Sequence, residues 1–119
     1  MKITGVDLFE CLVSDPARSI AFYRDVLGMT PTEVDENGRG AEFTLADGST
    51  FGVWAGKDYG KTSGANTMFA VDDVNSAIEK MRERGATLSD PIKSSLCFMS
   101  FGEDPDGNGI VIHQRFVKG

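Results

Sequence analysis

The sequence contains one structural pattern twice, and this internal repeat limits what the chain can fold into. An apolar run at Val6 to Val13 leads into a helical pattern that ends at Gly28, and a second run at Thr67 to Val71 leads into another that ends at Gly85. In each half an Asp stands where a helix N-cap is expected, and Gly is the usual residue just beyond a helix. The repeat therefore predicts a strand followed by an amphipathic helix in each half. The apolar positions at helical spacing are Ile20, Tyr23 and Leu27 in the first helix and Val74, Ala77, Ile78 and Met81 in the second.

Both halves continue with two extended segments joined by a turn. These segments are Glu42 to Leu45 and Ser49 to Trp54 in the first half, and Leu96 to Phe101 and Gly109 to His113 in the second. Each turn contains Asp-Gly, a good hairpin signal between β-rich segments. An offset of 58 residues superposes Asp15 on Asp73, and an offset of 59 superposes Trp54 on His113. Paired modules explain this repeat better than a doubly wound sheet, in which single strands alternate with helices.

Length and composition are those of one ordinary globular domain. The 119 residues are 40% hydrophobic and 25% charged, and a single core usually serves roughly 100 to 200 residues. The net charge of −6, with scattered basic residues, argues against nucleic acid as a partner, because phosphate contacts need clustered Lys and Arg. Since no apolar run could span a bilayer and the first residues lack a signal-peptide pattern, we expect a cytoplasmic protein that does not contact membranes.

The two cysteines and a polar segment have plain interpretations. Cys11 and Cys97 lie in apolar runs without metal-ligand spacing, which favours small buried hydrophobic side chains over a disulfide or a metal site. Segment 56–65 is rich in Gly, Lys and Ser and is predicted to be a linker, with gating of a ligand site as the alternative.

The residues assembled so far resemble a known superfamily. Val13 to Asp15, followed by Ser19 to Met29, resembles the first module of the vicinal-oxygen-chelate superfamily of glyoxalases, bleomycin-resistance proteins and dioxygenases, and Asp104 to Asn108 resembles the turn before its last strand. The resemblance implies an α+β fold of two paired βαβββ modules forming an open cup-shaped barrel, and a homodimer. We therefore expect one domain over residues 1–119, with module one at about 1–55, the linker at 56–65 and module two at about 66–119.

The resemblance also implies where a divalent metal would bind, and competent ligands are missing there. The ligand positions of metal-dependent relatives fall on Leu8, Gly52, Asn66 and Val111. Leu, Gly and Val have no side-chain donor atom, and Asn offers only a neutral oxygen. Sliding the first strand by one or two residues gains only Glu10. We therefore predict no metal site and no cofactor.

Strand alternation identifies the residues predicted to line the cup. Positions two apart from the ligand positions point to the same side of a strand, which gives a lining of Leu8, Glu10, Leu12, Thr50, Gly52, Trp54, Asn66, Met68, Val111 and His113. The opposite set, such as Cys11, Val13 and Phe69, is mostly apolar and suits a face packed under helices. A register slip of one residue would exchange the two sets.

Two residues of this lining could carry out chemistry. Glu10 stands among apolar neighbours, where an unpaired buried carboxylate is costly. It could bind a cationic ligand or act as a base, and the structural alternative is an ion pair with Arg39 or Arg115, or exposure at the mouth of the cup. His113, the one histidine of the chain, could be an acid-base group or a satisfied interior residue.

Two functions are compatible with these residues. The first is a small-molecule binding protein, similar to the bleomycin-resistance branch associated with antibiotic resistance, that holds an apolar or cationic ligand without a metal. Trp54 and Met68 would give it a flat wall and an adaptable one, although core packing explains them equally well. The second is a metal-free lyase or isomerase that uses Glu10 and His113 as acid-base groups. The missing ligands disfavour a metal-dependent glyoxalase or dioxygenase.

Overall fold

The computed structural model describes residues 1, 2, 4, 6–56, 66–94 and 97–115. The chain divides into two units, Met1–Ser63 and Gly64–Gly119. Residues 57–65, which make up most of the predicted linker, and Leu96, at the start of a predicted strand, lie outside the described residues.

The first unit consists of a strand, a helix and three further strands. Its elements are β1 (Phe9–Val13), α1 (Pro16–Ala21, continued by a π-helical turn at Phe22–Val26), β2 (Glu33–Val34), β3 (Gly40–Thr44) and β4 (Thr50–Ala55). The strands form one sheet in the order β1-β4-β3-β2, in which β1 runs parallel to β4 and the other pairs are antiparallel.

Helix α1 begins where the sequence predicts. The Asp15 carboxylate accepts a hydrogen bond from the backbone N–H of Arg18 at 3.2 Å, and Pro16 takes the first helical position, where its missing N–H costs nothing. Gly28 follows the helical segment with φ of 72°, a conformation that glycine adopts without a Cβ clash.

The buried face of this helical segment differs from the predicted face. Tyr23 is fully buried as expected, whereas Ile20 and Leu27 are only half-buried and Ser19 is buried instead. From Phe22 onward the backbone widens to π geometry, so a 3.6-residue period does not carry the buried face from Tyr23 to Leu27. Ser19 and Ile20 lie before this change, in regular α-helix, where the residue four positions before Tyr23 is buried and the residue three positions before it is not.

An aromatic cluster joins this helical segment to its sheet. The Tyr23 ring lies 4.8 Å from that of Phe51 on β4 and 6.3 Å from that of Phe43 on β3. Cys11 and Val13 of β1 are fully buried, as Tyr23 is, which confirms the predicted burial of Cys11. Burial of each large apolar side chain contributes about 1.5–3 kcal/mol, so this face of the sheet forms the core of the unit.

The second unit repeats the same order of elements. They are β5 (Asn66–Ala70), α2 (Val74–Glu83), β6 (Ile92–Lys93), β7 (Cys97–Glu103) and β8 (Gly109–Arg115). The sheet order is β5-β8-β7-β6, with β5 parallel to β8 and the other pairs antiparallel. Asp73 caps α2 by accepting from the backbone N–H groups of Asn75 and Ser76 at 3.1 and 3.2 Å. Of the predicted helix positions, Val74, Ile78 and Met81 are buried and Ala77 is half-buried.

The turn before β8 is held by a buried carboxylate. Asp104, only 5% exposed, accepts hydrogen bonds from the backbone N–H of Asp106 at 2.9 Å, from that of Asn108 at 2.8 Å and from the Asn108 side-chain amide at 3.0 Å. This network explains structurally why the Asp-Pro-Asp-Gly-Asn segment forms a turn here rather than extending β7.

Strand pairing shows which residues occupy equivalent positions in the two sheets. In the first sheet Glu10 lies opposite Gly52 and Leu12 opposite Trp54. In the second sheet the equivalent positions, Met68 and Val111, are opposite each other, as are Ala70 and His113. The α+β class and the two βαβββ modules are thus confirmed, while the cup-shaped arrangement stays a prediction.

Candidate functional site

The first sheet has one face under its helical segment and one face turned away from it. Since Phe43 and Phe51 contact Tyr23, alternation assigns the neighbouring positions to the opposite face. We call that opposite face the acidic face. It carries Glu10, Leu12, Gly40, Glu42, Thr44, Thr50, Gly52 and Trp54.

Trp54 lies against the backbone of the acidic face. A Cβ atom added to Gly40, which is directly opposite on β3, would stand 2.7 Å from both Cδ2 and Cε3 of the indole. A Cβ atom on Gly52 would stand 3.2 Å from the indole Nε1 and 3.4 Å from Cδ1. The ring can therefore extend over both positions because neither has a side chain. Trp54 is half-buried and forms an aromatic platform on this face.

Two carboxylates flank the platform at its N–H edge. Glu10 on β1 and Glu42 on β3 both lie opposite Gly52, so two strand spacings, about 10 Å, separate their backbones. Glu10 is exposed and Glu42 half-buried. Glu33 continues the row beyond Glu42. The row places negative charge on both sides of the indole N–H.

Within the described part of the chain, these side chains have no partners. No hydrogen bond or ion pair joins the side-chain carboxylate of Glu10 or Glu42, or the indole N–H of Trp54, to another described residue. Of the structural alternatives for Glu10, the ion pair with Arg39 is absent and exposure is observed. The side chain of Arg115 lies outside the described residues. No described side chain therefore competes with a ligand for these polar groups.

The remaining predicted positions of the first module border the platform. Leu8 is half-buried, and its Cδ1 would lie 3.5 Å from a Cβ on Gly52. Leu12 is opposite Trp54 and is exposed. Thr50 shares a hydrogen bond of 3.3 Å with the Thr44 hydroxyl, so its hydroxyl already has a protein partner.

Sequence reasoning missed Glu42 and Gly40. The hairpin through Asp47-Gly48 was predicted, but a two-residue turn there would pair Glu42 with Val53 and so place it on the other face. The observed loop has three residues, because the Leu45 N–H donates to the Ser49 carbonyl oxygen at 2.8 Å. This register pairs Glu42 with Gly52 and Gly40 with Trp54, and the turn signal alone did not give it.

The second sheet has a different character on its equivalent face. We call the face opposite α2 the apolar face, and it carries Met68, Ala70, Met99, Phe101, Val111 and His113. Gln114, of opposite parity, accepts a hydrogen bond from the first N–H of α2 at 2.8 Å, which fixes this assignment. Met68 is 53% and Phe101 43% exposed, whereas Val111 is buried.

His113 lies among apolar neighbours on this face. It is half-buried, and its opposite residues are Ala70 and Met99. No described residue hydrogen-bonds or ion-pairs with its imidazole. The backbone of Asn66 begins β5, but its side chain lies outside the described residues. The structure thus places Glu10 and His113 in different units and gives neither a described acid-base partner.

Resolved pKa shifts occur away from both faces, on exposed groups. The Arg24 guanidinium, hydrogen-bonded at 2.8 Å, lowers the pKa of Asp25, and the pKa of Arg24 is raised in turn. The hydroxyl and backbone N–H of Ser49 lower the pKa of Asp47 at the β3–β4 turn. Both are local surface interactions, so they do not identify a catalytic group.

The residues at the family's metal positions do not fit a metal ion. Leu8, Gly52 and Val111 supply no donor atom, and the described residues contain no group of three or more His, Cys, Asp or Glu side chains that could hold one.

The order and pairing of the strands define a protein of the paired-βαβββ class. Residues 5–112 match the family described as the Glyoxalase/Bleomycin resistance protein/Dioxygenase superfamily. The chain belongs to this superfamily.

Relatives and solved structures with several functions are similar to this chain. A lactoylglutathione lyase from Haemophilus influenzae is 33% identical over 110 residues, which cover 80% of this chain and 81% of the relative. TnmS3, an antibiotic binding protein from a Streptomyces species, has a TM-score of 0.81 at 23% identity, with 97% of this chain and 98% of that chain covered. A lactoylglutathione lyase from Agrobacterium tumefaciens has a TM-score of 0.77 at 15% identity, with 96% of each chain covered. At these identities the two structures show the fold alone.

The helices contain no membrane-spanning candidate. Among the described residues, none is long and apolar enough to cross a bilayer.

Proposed function

We propose that this chain is a small-molecule binding protein that holds an apolar or cationic ligand on its acidic face without a metal ion. One observation carries the proposal: the indole of Trp54 lies over Gly40 and Gly52, with Glu10 and Glu42 on either side of its N–H edge. An aromatic plate attracts cations through its quadrupole, and carboxylates that no described residue pairs with add to that attraction.

The expected affinity is moderate. Stacking on an aromatic ring contributes about 0.5–1.5 kcal/mol beyond area burial, and a cation over an exposed ring adds about 0.5–1 kcal/mol. With the burial of the ligand's apolar surface, this favours a Kd of about 10 μM to 1 mM for a simple probe. The similar fold of an antibiotic binding protein supports the same class of function, and an antibiotic with an aromatic cationic portion is the natural ligand we propose.

The test is a titration with proflavine, a planar aromatic cation, followed by calorimetry. We expect the wild type to bind, Trp54→Leu to lose most of the affinity, and Glu10→Gln and Glu42→Gln each to weaken binding by about 3- to 10-fold. Glu36→Gln is the matched control, because Glu36 is an exposed carboxylate in the same unit outside the acidic face. Unchanged affinity in Trp54→Leu would contradict the proposal.

A metal-free lyase or isomerase is the second candidate, favoured by the 33% identity to lactoylglutathione lyase. It would use Glu10 and His113 as acid-base groups. The wild type, Glu10→Gln and His113→Ala are compared for binding and for turnover of lactoylglutathione. We expect no turnover in any of them. Turnover by the wild type that both variants lose, while they still bind, would establish the enzyme instead.

We further propose that the chain is a cytoplasmic homodimer, since family resemblance supports an assembly of two copies. Light scattering at micromolar concentration should give twice the mass of 12.8 kDa, and a monomer mass would refute the assembly.

Fractionation of the producing cell tests the cytoplasmic location. A role in antibiotic resistance is tested by whether producing the protein raises the inhibitory concentration of an antibiotic that it binds.

A further inference from the structure

We infer that Gly52 is the specificity-determining position of the acidic face, because its missing side chain lets the Trp54 indole lie flat and so favours flat ligands over globular ones of equal charge. This inference rests on the proposed function and deepens it. The residue at position 52 then determines whether flat or globular cations bind more tightly to the acidic face.

The space above Gly52 is already nearly filled by the indole. A Cβ atom there would meet Nε1 at 3.2 Å and Cδ1 at 3.4 Å, with Leu8 Cδ1 at 3.5 Å on another side. The first two distances are shorter than ordinary van der Waals contacts of about 3.5–4.0 Å between carbon atoms. An added methyl group would therefore push the pyrrole edge of the ring away from the sheet by a few tenths of an ångström.

The ring cannot relieve this contact by sliding toward β3. Its Cδ2 and Cε3 atoms already lie close to the backbone of Gly40, where a Cβ would stand 2.7 Å from each. The remaining movement is an outward tilt of the indole. A tilted ring presents an edge instead of a plane, and offset stacking of a flat ligand needs a plane.

The two glycines beneath the ring differ in whether they can accept a side chain, since Gly40 cannot and Gly52 can. A side chain on Gly40 would overlap the Val53 carbonyl oxygen as well as the indole, so position 40 is restricted by backbone pairing whatever the ligand. Around Gly52 the three nearest atoms all belong to side chains and none is closer than 3.2 Å, so we expect position 52 to accept a methyl group without breaking the sheet.

The second sheet provides a comparison within the same chain. Its register is equivalent, and the positions that correspond to Gly40, Gly52 and Trp54 are Met99, Val111 and His113. Both supporting positions therefore carry side chains there, and the large flat ring is replaced by a smaller one. The first sheet thus has the indole and both glycines, and the second sheet has none of the three at the equivalent positions.

The experiment compares Gly52→Ala with wild type and with Gly56→Ala. Gly56 is a suitable control because its added Cβ would make only an ordinary contact, 3.6 Å from Leu12 Cβ. Calorimetry measures binding of two monovalent cations, planar proflavine and globular tetraphenylphosphonium. Near-ultraviolet circular dichroism and acrylamide quenching report on Trp54, the one tryptophan of the chain, before any ligand is added.

We expect wild type and Gly56→Ala to prefer proflavine by about tenfold and Gly52→Ala to lower that preference to about threefold or less, with a changed Trp54 signal in the free protein. A Gly52→Ala protein with the wild-type preference would overturn this inference and leave the proposed function in place. If the wild type binds neither cation, the proposed function and this specificity both fail. An unchanged Trp54 signal in Gly52→Ala would by itself refute the tilt.

Discussion

At the scale of single residues, the acidic face depends on two positions that have no side chain. Trp54 is large, yet it fits on the sheet because the position directly opposite and the position two residues before it are both glycine. Glycine weakens a strand because it packs no side chain there, so these two residues favour the placement of the ring over the stability of the sheet.

Gly40→Ala is predicted to destabilise the protein. The added Cβ would overlap the Val53 carbonyl oxygen and the indole, so β3 and β4 would have to separate locally, at a cost of about 1–3 kcal/mol in the free energy of unfolding. Urea denaturation followed by far-ultraviolet circular dichroism measures this cost. Gly56→Ala should unfold close to wild type, and equal midpoints for both variants would show that the contact is relieved without cost.

Ser49→Ala is predicted to raise the pKa of Asp47 toward its ordinary value of 3.8. The Ser49 hydroxyl donates to the Asp47 carboxylate at 2.6 Å and the backbone N–H at 3.0 Å, and both bonds favour the charged form. The substitution removes only the first, so part of the lowering should remain. Carboxyl chemical shifts recorded across the acid range measure the change.

The sign of the linked stability effect follows from the direction of this shift. Because the pKa of Asp47 is lower in the folded state, its contribution is present above the unfolded value and is lost as the pH falls through the folded value. The difference in stability between wild type and Ser49→Ala should therefore shrink in acid. A difference that grows as the pH falls would contradict the assignment.

At the scale of elements, helix starts were predictable because their signals are local. Asp15 and Asp73 were expected to cap α1 and α2 and do so. The buried face of the first helix was predicted only in part, since Tyr23 is buried but Ile20 and Leu27 are half-buried, and the change to π geometry before Leu27 is not encoded in a 3.6-residue period. The strands β2 and β6 have two residues each, too few for any alternation to show, and only the family resemblance implied them.

Asp73→Ala is predicted to lower the free energy of unfolding by about 1 kcal/mol. The carboxylate accepts from two backbone N–H groups at the start of α2, and alanine would leave both to water. Asp72→Ala removes an equal charge from the preceding exposed residue and serves as the control. Thermal unfolding of the three proteins gives the comparison, and equal losses for Asp72 and Asp73 would point to net charge instead of capping.

The acidic face shows how far alternation leads from sequence to site. Alternation placed Glu10, Gly52 and Trp54 on one face, and the strand register agrees. It could not place the indole over Gly40, because that depends on the side-chain conformation of Trp54 and not on its parity. The predicted role of each residue in binding stays a prediction.

At the scale of the whole molecule, the net charge of −6 should affect the binding of cations. Negative charge attracts a cation over about 10 Å at 0.1 M salt, and over a shorter distance as salt increases. We predict that raising the salt concentration from 0.05 to 0.5 M weakens proflavine binding by about 3- to 10-fold. Calorimetry at several salt concentrations measures this, and uncharged anthracene derivatives should show little change. Salt-independent proflavine binding would indicate that the contact is purely apolar.

The internal repeat was the most reliable sequence prediction because it uses spacing over many residues and no single side chain. It anticipated the equivalent order of strands in the two sheets. It could not anticipate that equivalent positions of the two faces carry side chains of different chemistry. Where the first sheet has Glu10 and Glu42, the second sheet has Met68 and Phe101.

The shared register also makes the chain a design template. Because equivalent positions face equivalent neighbours, the platform could be copied into the second sheet by five substitutions: Met68→Glu, Met99→Gly, Phe101→Glu, Val111→Gly and His113→Trp. Each change lies on the face opposite α2, so the side chains of β8 on the other face, Ile110 and Ile112, would be kept beneath that helix. A protein with two such platforms would have two copies of one binding surface, each built by the same backbone.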